Sequence, residues 1–159
     1  MAAPIRNAGI WFSGIALVCV AAVGAALVSQ HVFNMQPCPW CALQRLILLA
    51  ISAVCLLAGA VGRSGRRIGV AVALLLALSG VASALWQHFE AAASVSCNLT
   101  LADKILSSLQ LDRLLPGIFE PRASCADAAV NLLGLPYDFW SLALFVLVAL
   151  AATRLMSRR

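Results

Sequence analysis

The chain has 159 residues, 63% of them hydrophobic and only 11% charged. A soluble domain of that length has too little interior to hide so much apolar surface, so lipid must solvate much of it. The net charge of +5 comes mostly from arginines gathered at one set of predicted helix ends, which gives no support to nucleic-acid binding. The expectation is one compact integral membrane domain over residues 1–159.

Four stretches are long and apolar enough to cross a bilayer as helices, at about 8–28, 43–61, 68–86 and 139–156. The first is too long for the core of a cleavable signal, and Ser29-Gln30-His31 makes a poor cleavage site, so a retained helix is expected. Arg6 precedes it, Arg63, Arg66 and Arg67 fill the turn between the second and third helices, and Arg154, Arg158 and Arg159 follow the fourth. The positive-inside rule then puts both termini in the cytoplasm and the loops 29–42 and 87–138 outside, with Lys104, Arg113 and Arg122 in the longer one. Trp11, Trp40, Trp86 and Trp140 lie near the predicted interfaces as belt residues, and Gly9 with Ser13 forms a small-xxx-small pair suited to close helix packing.

The short first loop delivers Cys38 to the second helix, where Pro39 suits a first helical turn. The second loop is far longer than a connection requires, a length that is usually functional or disordered. Within it, Thr100-Leu-Ala-Asp103 has the form of a capping box, and Ile105, Leu106 and Leu109 follow at helical spacing until Pro116-Gly117 ends the run. This predicts a short amphipathic helix, lying on the outer membrane surface or packed on the bundle ends. Residues 117–126 show little periodicity and are expected to be mobile.

Cys38, Cys41, Cys97 and Cys125 all fall on the outer side, where disulfides persist, whereas Cys19 and Cys55 fall inside helices as small apolar residues. Cys38-Pro39-Trp40-Cys41 is a Cys-x-x-Cys pair, a redox or metal signature. The helix N-terminus favours a thiolate at Cys41. Arg45 projects from the same face one turn later, placed to stabilise that thiolate or the reduced oxygen of a bound acceptor. A charge at the edge of lipid is costly and marks function by default; the plainer alternative is a side chain snorkelling to the interface. Cys97 and Cys125 flank the amphipathic segment. A disulfide between them is either a staple, worth ~3 kcal/mol by chain entropy, or an exposed bond that exchanges with other proteins. His88 is either a hydrogen-bonded surface residue or a proton-exchanging group for a reduced acceptor near Arg45. The four outer cysteines also admit a tetrahedral zinc site, although the spacing of Cys97 and Cys125 makes no compact knuckle.

With these features the chain resembles the disulfide bond formation protein B family, DsbB, of bacterial inner membranes. The resemblance rests on four helices and on a Cys-x-x-Cys followed by x-Leu/Tyr-x-Arg, here Cys38-Pro-Trp-Cys41-Ala-Leu-Gln-Arg45. It rests further on a long second outer loop carrying Cys97 and Cys125, and on Gly134-Leu-Pro136 before the last helix. It implies an all-α four-transmembrane-helix bundle with a periplasmic loop, and a dithiol:quinone oxidoreductase. Such a protein reoxidises a periplasmic DsbA-like thiol oxidase and passes the electrons to ubiquinone or menaquinone of the membrane pool. By position, the resemblance puts Cys97 near the mixed-disulfide step, although Cys125 is equally able to take the partner's attack, and the remaining cysteine exchanges onward with Cys38 and Cys41. Cys41 then faces the quinone, with Arg45 and His88 beside it. Pro39-Trp40 departs from the aliphatic residues that some members carry, which bears on the potential of the inner pair. Vitamin K epoxide reductase proteins also join thiols to quinones, but here the membrane-edge dithiol opens the second helix rather than a late one.

Overall fold

The computed structural model describes residues 8–61, 63–91, 100–127, 131–132 and 134–157. The chain runs through α1 (Ala8–Val32), α2 (Pro39–Ala60), α3 (Arg63–Trp86) and a π-helical turn at Gln87–Ala91. Three short helices follow, α4 (Leu101–Ser108), α5 (Leu111–Leu114) and α6 (Pro116–Phe119). A two-residue antiparallel pair, β1 (Asn131–Leu132) with β2 (Leu135–Pro136), then turns at Gly134 (φ +83°) into α7 (Tyr137–Ser157). Helices α1, α2, α3 and α7 are each long and apolar enough to cross a membrane, which makes this an all-α, multi-pass membrane protein.

The spanning helices pack in chain order, α1 on α2, α2 on α3 and α3 on α7. Helix α2 is the most enclosed, through a stripe of Gln44, Leu48, Ile51, Cys55 and Ala58 at helical spacing. It starts four residues earlier than its hydropathy predicts. Cys38 caps it in extended conformation, with Sγ accepting the Cys41 N–H at 3.3 Å, and Pro39 has no N–H to satisfy. Close helix approach depends on glycines of α3 rather than on Gly9 and Ser13. A β-carbon at Gly80 would run into the Phe145 ring of α7, and one at Gly69 into Ala58 of α2. Gly9 has open space at that position and Ser13 is exposed. Trp11, Trp86 and Trp140 are exposed as a belt would have them, but Trp40 is buried in the core beside Cys38.

The capping box forms: Thr100 Oγ1 accepts the Asp103 N–H at 3.2 Å, and Asp103 Oδ2 accepts the Thr100 N–H at 2.9 Å. Helix α4 stops well before Pro116, because Gln110 takes a left-handed conformation (φ +54°); Pro116 instead opens α6. Leu106 of α4 joins Ala42 and Phe119 at the end of α2, Ala102 packs into the main core, and Leu101 and Leu109 stay exposed. The helix is therefore packed on the bundle through one face and shows leucines on another. Residues 119–125, expected to be loose, are tied down. Phe119 and Cys125 are buried, and the N–H groups of Arg122 and Ala123 donate to Pro37 O at 3.0 and 3.3 Å. Arg6, Cys97, Arg158 and Arg159 lie outside the described residues.

Candidate functional site

At the end of α2 where Cys38 lies, three sulfurs come together. Cys38 Sγ and Cys41 Sγ are 2.7 Å apart, the result of one cysteine capping the helix and the other closing its first turn. Oxidation to a disulfide needs only a small further approach. Cys125, which the docked loop delivers from far along the chain, lies close enough to Cys38 for the two thiols to interact. Cys38 and Cys125 are buried and Cys41 is partly buried.

The environment separates the two outer sulfurs of this group. Burial pushes the Cys38 thiol well above the ordinary value of 9.0, and its interaction with Cys125 adds to the effect. Cys125 is held below that value, first through its interaction with Cys38 and further because the Trp40 backbone N–H donates to it. That N–H belongs to the first turn of α2, where the helix leaves donors free and favours negative charge.

Arg45 is buried one turn below Cys41, and its guanidinium holds neutral acceptors. Nη1 donates to Gln30 Oε1 at 2.6 Å and to Ile118 O at 2.9 Å, and Nη2 donates to Ala26 O at 3.4 Å. Gln30 Nε2 donates in turn to Gly117 O at 3.3 Å. The arginine thus joins α1, α2 and α6, a structural task that neither the functional nor the snorkelling reading of the sequence contained. Its charge nevertheless remains within electrostatic range of Cys41 and Cys38.

His88 sits beside α7 in the π-helical turn, with Nδ1 3.4 Å from Asp138 Oδ2 and its ring edge-on to Phe89 and Phe139. Together with Ala84, Leu85, Asp138 and Leu142 these residues line a shallow apolar hollow between α3 and α7. Asp138 Oδ1 accepts from Gln87 Nε2 at 2.7 Å, and the same nitrogen lies 3.4 Å from Cys41 Sγ. Gln30, Gln44, Gln87 and Asp138, all buried, escaped the sequence reading. The signal was available: amides and a carboxylate at the ends of apolar helices need internal partners.

Among the described residues, no group of three or more His, Cys, Asp or Glu side chains is arranged to hold a metal ion, so the zinc alternative gains no support. The arrangement suits thiol–disulfide exchange, with a central sulfur in reach of one neighbour on either side.

The family model described as "Disulfide bond formation protein DsbB" matches residues 8–155. A disulfide bond formation protein B of Herminiimonas arsenicoxydans is 33% identical over 147 residues, covering 92% of this chain and 93% of that protein. One of Aromatoleum aromaticum is 36% identical over 153 residues, covering 93% of this chain and 92% of its own. A disulfide bond formation protein B 1 of Pseudomonas savastanoi pv. phaseolicola is 36% identical over 137 residues, with 84% and 80% covered. A match along nearly all of the four-helix frame, with a dithiol capping its second helix, places this chain in the DsbB family of membrane disulfide bond formation proteins.

Proposed function

We propose that the protein is a dithiol:quinone oxidoreductase of the bacterial inner membrane that reoxidises a periplasmic DsbA-like thiol oxidase. The observation that carries the thiol half is the position of Cys38, with Cys125 on one side and Cys41 on the other. The orientation, with cysteines periplasmic and termini cytoplasmic, is supported by Arg66, Arg67 and Arg154 at the opposite ends of the spanning helices.

In this reading electrons pass from the loop pair to the inner pair, which is supported by the place of Cys125 beside Cys38. A partner thiolate attacks Cys97 of a Cys97–Cys125 disulfide, forms a mixed disulfide there and releases Cys125 as thiolate. Cys125 attacks Cys38 of the Cys38–Cys41 disulfide, and Cys41 leaves as thiolate. The partner's second thiolate then attacks its own sulfur in the mixed disulfide, so the partner departs oxidised and Cys97 is freed. Cys97 attacks Cys125 in the Cys125–Cys38 bond, which restores the loop disulfide and leaves two electrons on Cys38 and Cys41. The attacker in the second step keeps the Trp40 backbone N–H as a donor, which favours its thiolate.

A quinone near Cys41 is supported by a small apolar hollow with His88 and Asp138 in its wall, joined to Cys41 through Gln87, and by the Arg45 charge one turn from Cys41. A quinone bound there, ubiquinone or menaquinone, supplies a two-electron, two-proton sink. His88 offers Nε2 for proton exchange while Asp138 holds Nδ1, and Arg45 supplies positive potential.

The test supplies purified protein with a reduced DsbA-type partner and either quinone. One quinone should be consumed per partner disulfide formed. Partner oxidation without quinone loss would overturn the quinone half. Absence of any mixed disulfide with the loop cysteines would overturn the thiol half.

A further inference from the structure

A buried chain of polar groups reaches Cys41, and the exchange sequence above makes no use of it. Gln44 Nε2 donates to Gln87 Oε1 at 2.8 Å. Gln87 Nε2 donates to Asp138 Oδ1 at 2.7 Å and to Cys41 Sγ at 3.4 Å. Asp138 Oδ2 faces His88 Nδ1 at 3.4 Å. Gln44, Gln87 and Asp138 are 6%, 2% and 4% exposed, so water does not compete for these bonds.

The direction of the Gln87 amide is dictated by its neighbours. A carboxyl oxygen and a sulfur stand at its nitrogen end, and an N–H donor stands at its oxygen end. Turning the amide over would set its carbonyl against Asp138 and its NH₂ against the NH₂ of Gln44. The rest of the chain therefore aims one N–H at Cys41 Sγ. A sulfur that receives electrons gains negative charge, and a preset donor stabilises that charge more than it stabilises a disulfide sulfur.

We propose that Gln87 is a catalytic residue of the Cys38–Cys41 couple, donating to Cys41 as that sulfur becomes a thiolate, and that Asp138 and Gln44 are the residues that position it. The inference rests on Cys38 and Cys41 acting as a redox couple. It adds that the ease of reducing the couple is set in part from α3 and α7, by side chains outside the cysteine motif.

The experiment isolates the couple in the full chain carrying Cys97→Ser and Cys125→Ser, held in lipid nanodiscs and equilibrated with glutathione redox buffers. Reduction consumes two glutathione thiols, breaks the Cys38–Cys41 bond and yields two protein thiols and one glutathione disulfide. Thiol trapping counts the thiols. Gln87→Leu should make the couple harder to reduce by about tenfold in its equilibrium with glutathione, or about 30 mV. Asp138→Leu should shift it in the same direction, whereas Asp138→Asn, which keeps an acceptor oxygen, should stay within about threefold of the parent. An unmoved Gln87→Leu midpoint would overturn the assignment. So would an Asp138→Asn shift well beyond threefold toward easier reduction, since relief of the carboxylate's repulsion and not the aim of the amide would then govern. If Gln87→Leu does not fold, Gln87→Asn keeps the amide but stops a methylene short of the sulfur. A shift in the same direction then supports the proposal, and an unmoved midpoint overturns it. Failure of the parent to form a Cys38–Cys41 disulfide at all would instead overturn the relay.

Discussion

Arg45→Met separates two jobs that this arginine is placed to do. The substitution removes the bonds from Nη1 to Gln30 Oε1 (2.6 Å) and Ile118 O (2.9 Å), and the longer one from Nη2 to Ala26 O (3.4 Å). Methionine fills similar space and no longer buries a charge, which recovers much of the desolvation cost that arginine carries. Overall stability should therefore change little. The docking of α6 onto α2 should suffer more, because the bond to Ile118 O crosses that contact and is charge-assisted. Its loss weakens docking by about 2 kcal/mol, or about thirtyfold in the ratio of docked to undocked loop. The amides of Arg122 and Ala123, which donate to Pro37 O, report that ratio through hydrogen exchange. Their protection should fall by about thirtyfold, and oxidative capture of a Cys38–Cys125 disulfide should slow in parallel. Arg45→Lys, with a single donor head, should lie between the two. If protection and capture are unchanged while quinone-linked turnover drops, the clamp is incidental and Arg45 acts at the acceptor alone.

Three further outcomes follow from the same geometry. Cys41→Ser should abolish electron transfer to quinone yet still allow a partner adduct on the loop pair; an adduct-free variant, assayed by non-reducing electrophoresis, would contradict that division of labour. In the reduced protein a small alkylating reagent should modify Cys125 before Cys38 at roughly pH 7–8. Cys125 is depressed below 9.0 and Cys38 is raised above it, so at any given pH Cys125 carries the larger thiolate fraction. Mass spectrometry of labelled peptides across pH reads the order, and equal rates would remove the asymmetry. Gly80→Ala should loosen the contact between α3 and α7 by about 1–3 kcal/mol, since its β-carbon meets the buried Phe145 ring; an unchanged unfolding midpoint in detergent would show that the ring swings aside at no cost.

Much of the frame was legible because lipid enforces it. Length and apolarity alone locate spanning helices to within a few residues, and a short motif locates the capping box of α4. The errors have local physical causes. Helix α2 extends to Pro39 because a sulfur can cap, which hydropathy cannot register. Gly9 and Ser13 have the spacing for close packing, but spacing does not say which face of α1 meets α2. Residues 117–126 look irregular along the chain, yet irregular backbone is held here by tertiary bonds to Pro37, Gln30 and Arg45. Of the candidate site residues, Cys38, Cys41, Cys97, Cys125, Arg45 and His88 stand out in the sequence by residue type and placement, and all but Cys97 lie among the described residues. Gln30, Gln44, Gln87 and Asp138 do not stand out, since each is ordinary alone and gains meaning only from partners 15 to 87 residues distant.

Those distant partners divide the dithiol's surroundings between two sets of helices. Among the described residues, the bonds from Arg45, Gln30 and Pro37 that hold the loop come from α1, α2 or the link between them. The groups that reach Cys41 through Gln87 come from the π-helical turn after α3 and the start of α7, with Gln44 of α2 as a further support. A long loop loses more entropy on closure than a short one, by (3/2)RT ln n, so Cys125 stays beside Cys38 only while its anchors hold. The amide at Cys41 depends on none of those anchors. Releasing the loop should therefore slow the entry of electrons at Cys38 without altering the equilibrium of the Cys38–Cys41 couple, while loss of the Gln87 donor should do the reverse. Gln30→Leu, which removes the bond to Gly117 O but keeps the Arg45 charge, and Gln87→Leu, measured in one preparation by loop capture and by glutathione equilibration, should each move one quantity and leave the other in place; variants that move both together would mean that loop and amide form a single cooperative unit.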